Sequence, residues 1–158
     1  MLSGKEKNEI ETELKQYEHK RAACVEALKI IQHSRGWVSG DGIHDLAGIL
    51  GMTPDELDGV ATFYSLIFRK PVGRHVILIC NTISCWVMGY NQVLRSLNER
   101  LGIGLGDTSA DGRFTLLPVP CLGACAQAPA MMIDNELYGN LTPEKMDEIL
   151  GKYSWERD

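Results

Sequence analysis

The sequence has no run approaching the roughly 20 apolar residues that a membrane-crossing helix needs. Its N-terminal stretch, residues 1–14, is rich in Lys and Glu and lacks the apolar segment of a secretory signal. It also lacks an excess of basic charge. Sixteen Lys and Arg stand against 21 Asp and Glu, for a formal net charge of −5 at pH 7. Nucleic acid asks for a basic face, so that class of partner is set aside. There is no internal repeat and no low-complexity segment. No Cys-x-x-Cys is present, which argues against a dithiol oxidoreductase. There is no dinucleotide fingerprint either. Gly102-Ile103-Gly104-Leu105-Gly106 has the spacing G-x-G-x-G and follows a predicted helix rather than a strand, so it reads as a connector. These absences predict a soluble, cytoplasmic chain in a reducing compartment. There, cysteines serve more often as metal or redox groups than as structural disulfides.

What is present divides into two parts. With 158 residues, 44% hydrophobic and 23% charged, the chain suits one or two small globular domains. Residues 1–72 read as helical. Residues 14–32 carry Ala23, Ala27, Ile30 and Ile31 at helical spacing, with Gly36 as a stop. Residues 41–50 give a second helix ended by Gly51. Thr53-Pro54-Asp55-Glu56 is a capping box with proline at the first helical position, opening a short helix over 54–59. A last helical piece spans 61–68. The charge-rich run 6–20 is read as a solvated helix face or a frayed end.

At Pro71-Val72-Gly73 the period changes. Residues 75–80 (HVILIC) predict a buried strand, 86–101 a helix, 102–112 a loop and 113–119 a second strand. Residues 130–134 and 136–138 form a hairpin around Asp134-Asn135. Thr142-Pro143 opens a final helix to about residue 150. The fold class is therefore α+β, an N-terminal helical bundle (1–72) followed by a β-α-β-β-α domain (73–158).

Four of the five cysteines form two pairs, Cys80-x4-Cys85 and Cys121-x3-Cys125, all at element ends in the second part. Amide N–H groups at a helix start and in the Leu122-Gly123-Ala124 loop are free to point at sulfur and to favour thiolate over thiol. From spacing alone, a [2Fe–2S] cluster and a structural zinc site are equally well served. Two disulfides would suit an oxidising compartment. No histidine lies inside either motif, so a Rieske-type site is disfavoured.

The segments Cys80-Asn81-Thr82-Ile83-Ser84-Cys85-Trp86 and Pro120-Cys121-Leu122-Gly123-Ala124-Cys125-Ala126-Gln127-Ala128-Pro129 resemble the thioredoxin-like [2Fe–2S] ferredoxin family. More narrowly, they resemble the small iron–sulfur subunits of the NADH-dehydrogenase module of respiratory complex I. Gly36-Trp37-Val38, Ala61-Thr62-Phe63-Tyr64-Ser65 and Leu141-Thr142-Pro143-Glu144 agree. The resemblance runs from about Ala27 to Leu150. It implies a thioredoxin-like second domain with one [2Fe–2S] cluster on Cys80, Cys85, Cys121 and Cys125, an electron-transfer subunit that carries no complete active site alone. It further implies a hetero-oligomer in which a partner flavoprotein subunit binds FMN and NADH. It places the chain in the cytoplasm, peripheral to the inner membrane through the complex, with no insertion of its own. Related subunits serve NAD-linked hydrogenases and formate dehydrogenases.

Other residues have plainer readings. Cys24 is a core thiol, and His19, His33, His44 and His75 are not ligands. Trp37 and the Phe63-Tyr64 pair are read as helical core, with a partner surface as the alternative. One of Met131 and Met132 is expected to pack against the site, and Trp86 to shield it from water.

Overall fold

Ser3 starts the chain's first helix through a complete capping box, its hydroxyl accepting from the Glu6 amide while the Glu6 carboxylate accepts from the Ser3 amide. The computed structural model describes residues 1–153. By its internal contacts the chain divides into two units, Met1–Pro71 and Val72–Asp158. Residues 154–158, part of the domain expected over 73–158, lie outside the described residues.

The first unit holds four helices: α1 (Gly4–Leu14), α2 (Cys24–Arg35), α3 (Gly40–Leu50) and α4 (Pro54–Phe63). Their shared core includes Ile10, Leu28, Ile31, Leu46 and Leu57, all fully buried. The expectation for 6–20 is corrected here. Leu2, Glu6, Ile10 and Leu14 recur every four residues, and the first three are buried, so α1 is a packed helix. A charged residue in the middle of that stripe hides it from a hydrophobic count. The helix expected over 14–32 is also corrected. Residues 15–19 carry no apolar stripe, the chain turns there, and a 3-10 turn (Lys20–Ala23) leads into α2.

Thr53 caps α4 as expected, with both arms of its box formed. The helix does not stop at Gly59. Leu57 and Ala61 stay buried on the same core, and that burial offsets the roughly 1 kcal/mol cost of a helix-internal glycine. It ends where Tyr64 turns extended, so of the piece expected over 61–68 only residues 61–63 are helical, as the end of α4. Instead the Gln32 side chain holds that segment, donating to the Leu66 carbonyl (2.9 Å) and accepting from the Phe68 amide (2.6 Å).

The second unit is a four-stranded mixed sheet in the order β2-β1-β3-β4. β1 (His75–Cys80) runs parallel to β2 (Phe114–Val119), with His75 opposite Phe114 and Cys80 opposite Val119. β3 (Met131–Ile133) pairs antiparallel with β1, and β4 (Glu136–Tyr138) with β3. The β1-to-β2 crossover carries two helices rather than the single one expected over 86–101. These are α5 (Ile83–Val87) and α6 (Tyr90–Leu101). They break at Gly89, whose φ of 116° is open to glycine and strained for other residues. The last helix, α7 (Met146–Gly151), is preceded by a 3-10 turn at Pro143–Lys145.

Candidate [2Fe–2S] site

Strand register brings the cysteines to one end of the sheet. Cys80 is the last residue of β1 and Val119 the last of β2, and the two are paired. Because these strands are parallel, Cys121, two residues past Val119, emerges at the end where Cys80 sits. The chain returns there once more. The Cys80 amide donates to the Ala130 carbonyl (3.1 Å), just before β3, and the Asn81 amide donates to the Val119 carbonyl (3.2 Å). Cys125 opens a 3-10 turn (Cys125–Gln127) in the loop that leads to Ala130. Cys85 lies in the middle of α5, not at its start. Open α/β sheets place ligands outside the carboxyl ends of parallel strands, and this is that end.

The four sulfurs differ in surroundings. Cys80 and Cys85 are buried, at 3% and 1% exposure, while Cys121 and Cys125 are exposed. The Thr82 hydroxyl lies 3.2 Å from Cys80 Sγ. The Gly123 amide donates to Cys121 Sγ at 3.3 Å, from a residue with φ of 75°. Burial pushes the Cys80 thiol up, but the Thr82 hydroxyl and amide, the Leu122 amide and Cys85 outweigh it, bringing it down to about 7. Burial pushes Cys85 up, and the adjacent Cys80 adds to the rise. Among the described residues, no three His, Cys, Asp or Glu side chains are gathered around one point closely enough to hold a single metal ion.

This donor set fits an iron–sulfur cluster chemically. It offers soft thiolate donors, arranged as one buried and one exposed pair, with the Gly123 amide and the Thr82 hydroxyl at sulfurs that would hold negative charge.

Other expectations resolve individually. Met131 is the fully buried member of its pair, and Met132 is half-buried. Trp86, expected to shield the site, is 56% exposed. It shares α5 with exposed Ile83 and Val87, and Met88 follows them. In the helical unit Cys24 packs half-buried against the core. Phe63, 81% exposed, and Tyr64 stand edge to face at 5.3 Å, outside that core, so the core reading of this pair is corrected. His75 pairs with Asp134 (2.7 Å). Sequence reasoning missed the Thr82 hydroxyl, although a threonine two residues after a candidate ligand cysteine was in view.

A family model, thioredoxin-like [2Fe–2S] ferredoxin, matches residues 10–154. The chain belongs to the thioredoxin-like [2Fe–2S] ferredoxin family. The match begins in α1, upstream of the motifs that start near Ala27. Among its relatives, an NADH-quinone oxidoreductase subunit of Pseudomonas aeruginosa is 49% identical over 153 residues, spanning 97% of this chain and 92% of that one. The same-named protein of Escherichia coli K12 is 50% identical over 152 residues, spanning 96% and 92%. In the NAD+-reducing [NiFe]-hydrogenase crystal structure in the H2-reduced state, one chain matches with a TM-score of 0.71 at 23% identity. That match covers 83% of this chain and 22% of that one, and it shows a shared fold.

Proposed function

We propose that this chain is an electron-transfer subunit of NADH:quinone oxidoreductase, with Cys80, Cys85, Cys121 and Cys125 holding one [2Fe–2S] cluster. The observation that supports the reading is the return of both cysteine pairs to one end of the sheet, with the Gly123 amide donating to Cys121 Sγ and the Thr82 hydroxyl beside Cys80 Sγ. The parent complex follows from relatives about half identical over nearly their whole length. The likeness to a hydrogenase chain is one of fold. The helical domain (1–72) and the cluster-bearing domain (73–158) are parts of the same proposal.

When bound, the cluster supplies one-electron transfer. The chain's own residues do the rest. Cys80 and Cys85 exclude water on the inner side of the site by their burial. The Gly123 amide would offset thiolate charge on Cys121 without adding a titratable group. The exposed apolar side chains Ile83, Trp86, Val87 and Met88 flank Cys85 on the surface. We assign them to docking on a partner subunit that carries FMN and the NADH site, because aromatic residues and Met are enriched in interface cores. Docking there would close the site to water. Among the described residues, no helix is long and apolar enough to cross a membrane. Attachment to the inner membrane, on the cytoplasmic side, would then come through the complex.

Metal and sulfide analysis of anaerobically purified protein tests this reading, with EPR after dithionite reduction. About two irons and two sulfides per chain and a spin-one-half signal are expected of a [2Fe–2S] carrier. One zinc per chain with no sulfide would overturn it in favour of a structural zinc module.

A further inference from the structure

Thr82 occupies the N-cap of α5, with φ −78° and ψ 169°. A threonine at that position ordinarily accepts a hydrogen bond from an amide in the first turn. Here it does not. The backbone part of the cap is made, since the Trp86 amide donates to the Thr82 carbonyl at 2.8 Å, but the side chain makes no capping bond. The hydroxyl lies 3.2 Å from Cys80 Sγ instead. A metal-bound thiolate has no proton to give, so in the loaded protein Thr82 must be the donor. Cys80 is 3% exposed, so water does not compete freely for that sulfur.

From this diverted hydroxyl, and resting on the ligand set proposed above, we infer that Thr82 is a positioning residue that raises the reduction potential of the site through Cys80. One-electron reduction of a bound cluster would add negative charge to the site that Cys80 would help to hold. A hydrogen bond donated to that sulfur is stronger in the more negative state, so it favours the reduced form. The Gly123 amide would act in the same sense on Cys121, but it is fixed by the backbone. The Thr82 hydroxyl is the side-chain donor of the set, so this position can vary the potential without changing the fold.

The test is a redox titration followed by EPR on cluster-loaded wild type, Thr82→Val and Thr82→Ser. Thr82→Val keeps the shape and removes the donor. Its preference for the reduced form should weaken roughly tenfold, a drop of about 59 mV for one electron. Thr82→Ser restores the donor and should titrate with wild type, and all three proteins should hold equal iron and sulfide. Equal potentials in wild type and Thr82→Val would overturn the inference. So would a Thr82→Ser shift as large as that of Thr82→Val, since the hydroxyl would then not be the cause. If Thr82→Val takes up no cluster, Thr82→Ala is compared with Thr82→Ser and read in the same way. Wild-type protein without a [2Fe–2S] cluster would sink the proposed function and this inference together. An unshifted potential in a loaded variant sinks the inference alone.

Discussion

Glu6 and Arg35 form a two-pronged ion pair between α1 and α2, Nε to Oε1 and Nη2 to Oε2, both at 2.6 Å. Glu6 is 2% exposed, and it also accepts from the Ser3 amide at 2.7 Å. One carboxylate thus closes the cap of α1 and ties that helix to the end of α2. A charged residue at a buried position persists only because its charge is met by a fork of matching geometry.

The pair makes the helical unit sensitive to acid. The Arg35 guanidinium, working against burial, holds the Glu6 carboxyl at about 2 instead of 4.5. Folding therefore gains from the ionised form above pH 4.5, and that gain drains away as pH falls toward 2. Arg35 is about a quarter exposed, so solvent screening trims the contribution to the order of 2 kcal/mol. Glu6→Gln should be less stable than wild type at pH 7 and should lose less on acidification from pH 5 to 3. Thermal melts followed by circular dichroism across that range check it. Parallel pH slopes for the two proteins would show that this pair is not the acid-labile contact.

Replacing Cys121 by Ser should weaken cluster binding by at least about tenfold and shift the EPR spectrum, because a hard oxygen donor suits iron in a sulfide cluster poorly. Cys121 is exposed, so the loss should come with little change in folding stability. Cys24→Ser is the control. That thiol packs in the helical unit and should leave iron and sulfide unchanged. Cluster loss in Cys24→Ser, or full retention in Cys121→Ser, would show that the ligand set is wrong.

What the sequence made legible is local chemistry. The capping box at Thr53, the glycine stop at Gly51 and the strand 75–80 are each written in adjacent residues, and each stands in the structure. What it concealed depends on partners distant in the chain. The packed face of α1 is interrupted by Glu6, which looks solvated until Arg35 is placed beside it. Residues 66–68 read as helical from their apolar character, but Gln32 takes their backbone groups. The one helix expected after Cys85 became two, because Gly89 sits at a φ that ends one and begins the other. The cysteines were legible as two pairs. Their meeting at one sheet end needed the parallel register of β1 and β2, which no local spacing encodes.

Gly139 couples the sheet edge to the Cys125 loop. A Cβ there would meet Gln127 Cβ at 2.5 Å and the Gln127 carbonyl oxygen at 2.9 Å. The Asn140 amide already donates to that carbonyl at 2.6 Å, so the contact has no slack. Gly139→Ala should cost about 1–3 kcal/mol by overpacking and push the Cys125–Gln127 turn outward. The expected outcome is a lower melting temperature together with faster cluster loss on exposure to a chelator. A variant with unchanged chelation kinetics would mean that the loop absorbs the methyl group without moving Cys125.

Two exposed apolar surfaces compete for the role of partner contact, and substitution separates them. Ile83, Trp86, Val87 and Met88 lie around a proposed ligand, while Phe63 and Tyr64 border a groove on the helical unit with Cys24 and Val60. Electron transfer needs the partner close to the cluster, which favours the first surface for the flavoprotein subunit. Trp86 is its largest side chain and the residue type most often found to dominate an interface. Trp86→Ala should therefore reduce affinity for the flavoprotein subunit by at least about tenfold, with cluster content unchanged. Phe63→Ala should have a smaller effect on the same measurement, made by titration calorimetry with the isolated subunits. The reverse order would move the flavoprotein contact to the helical unit and leave the exposed face of α5 to another subunit.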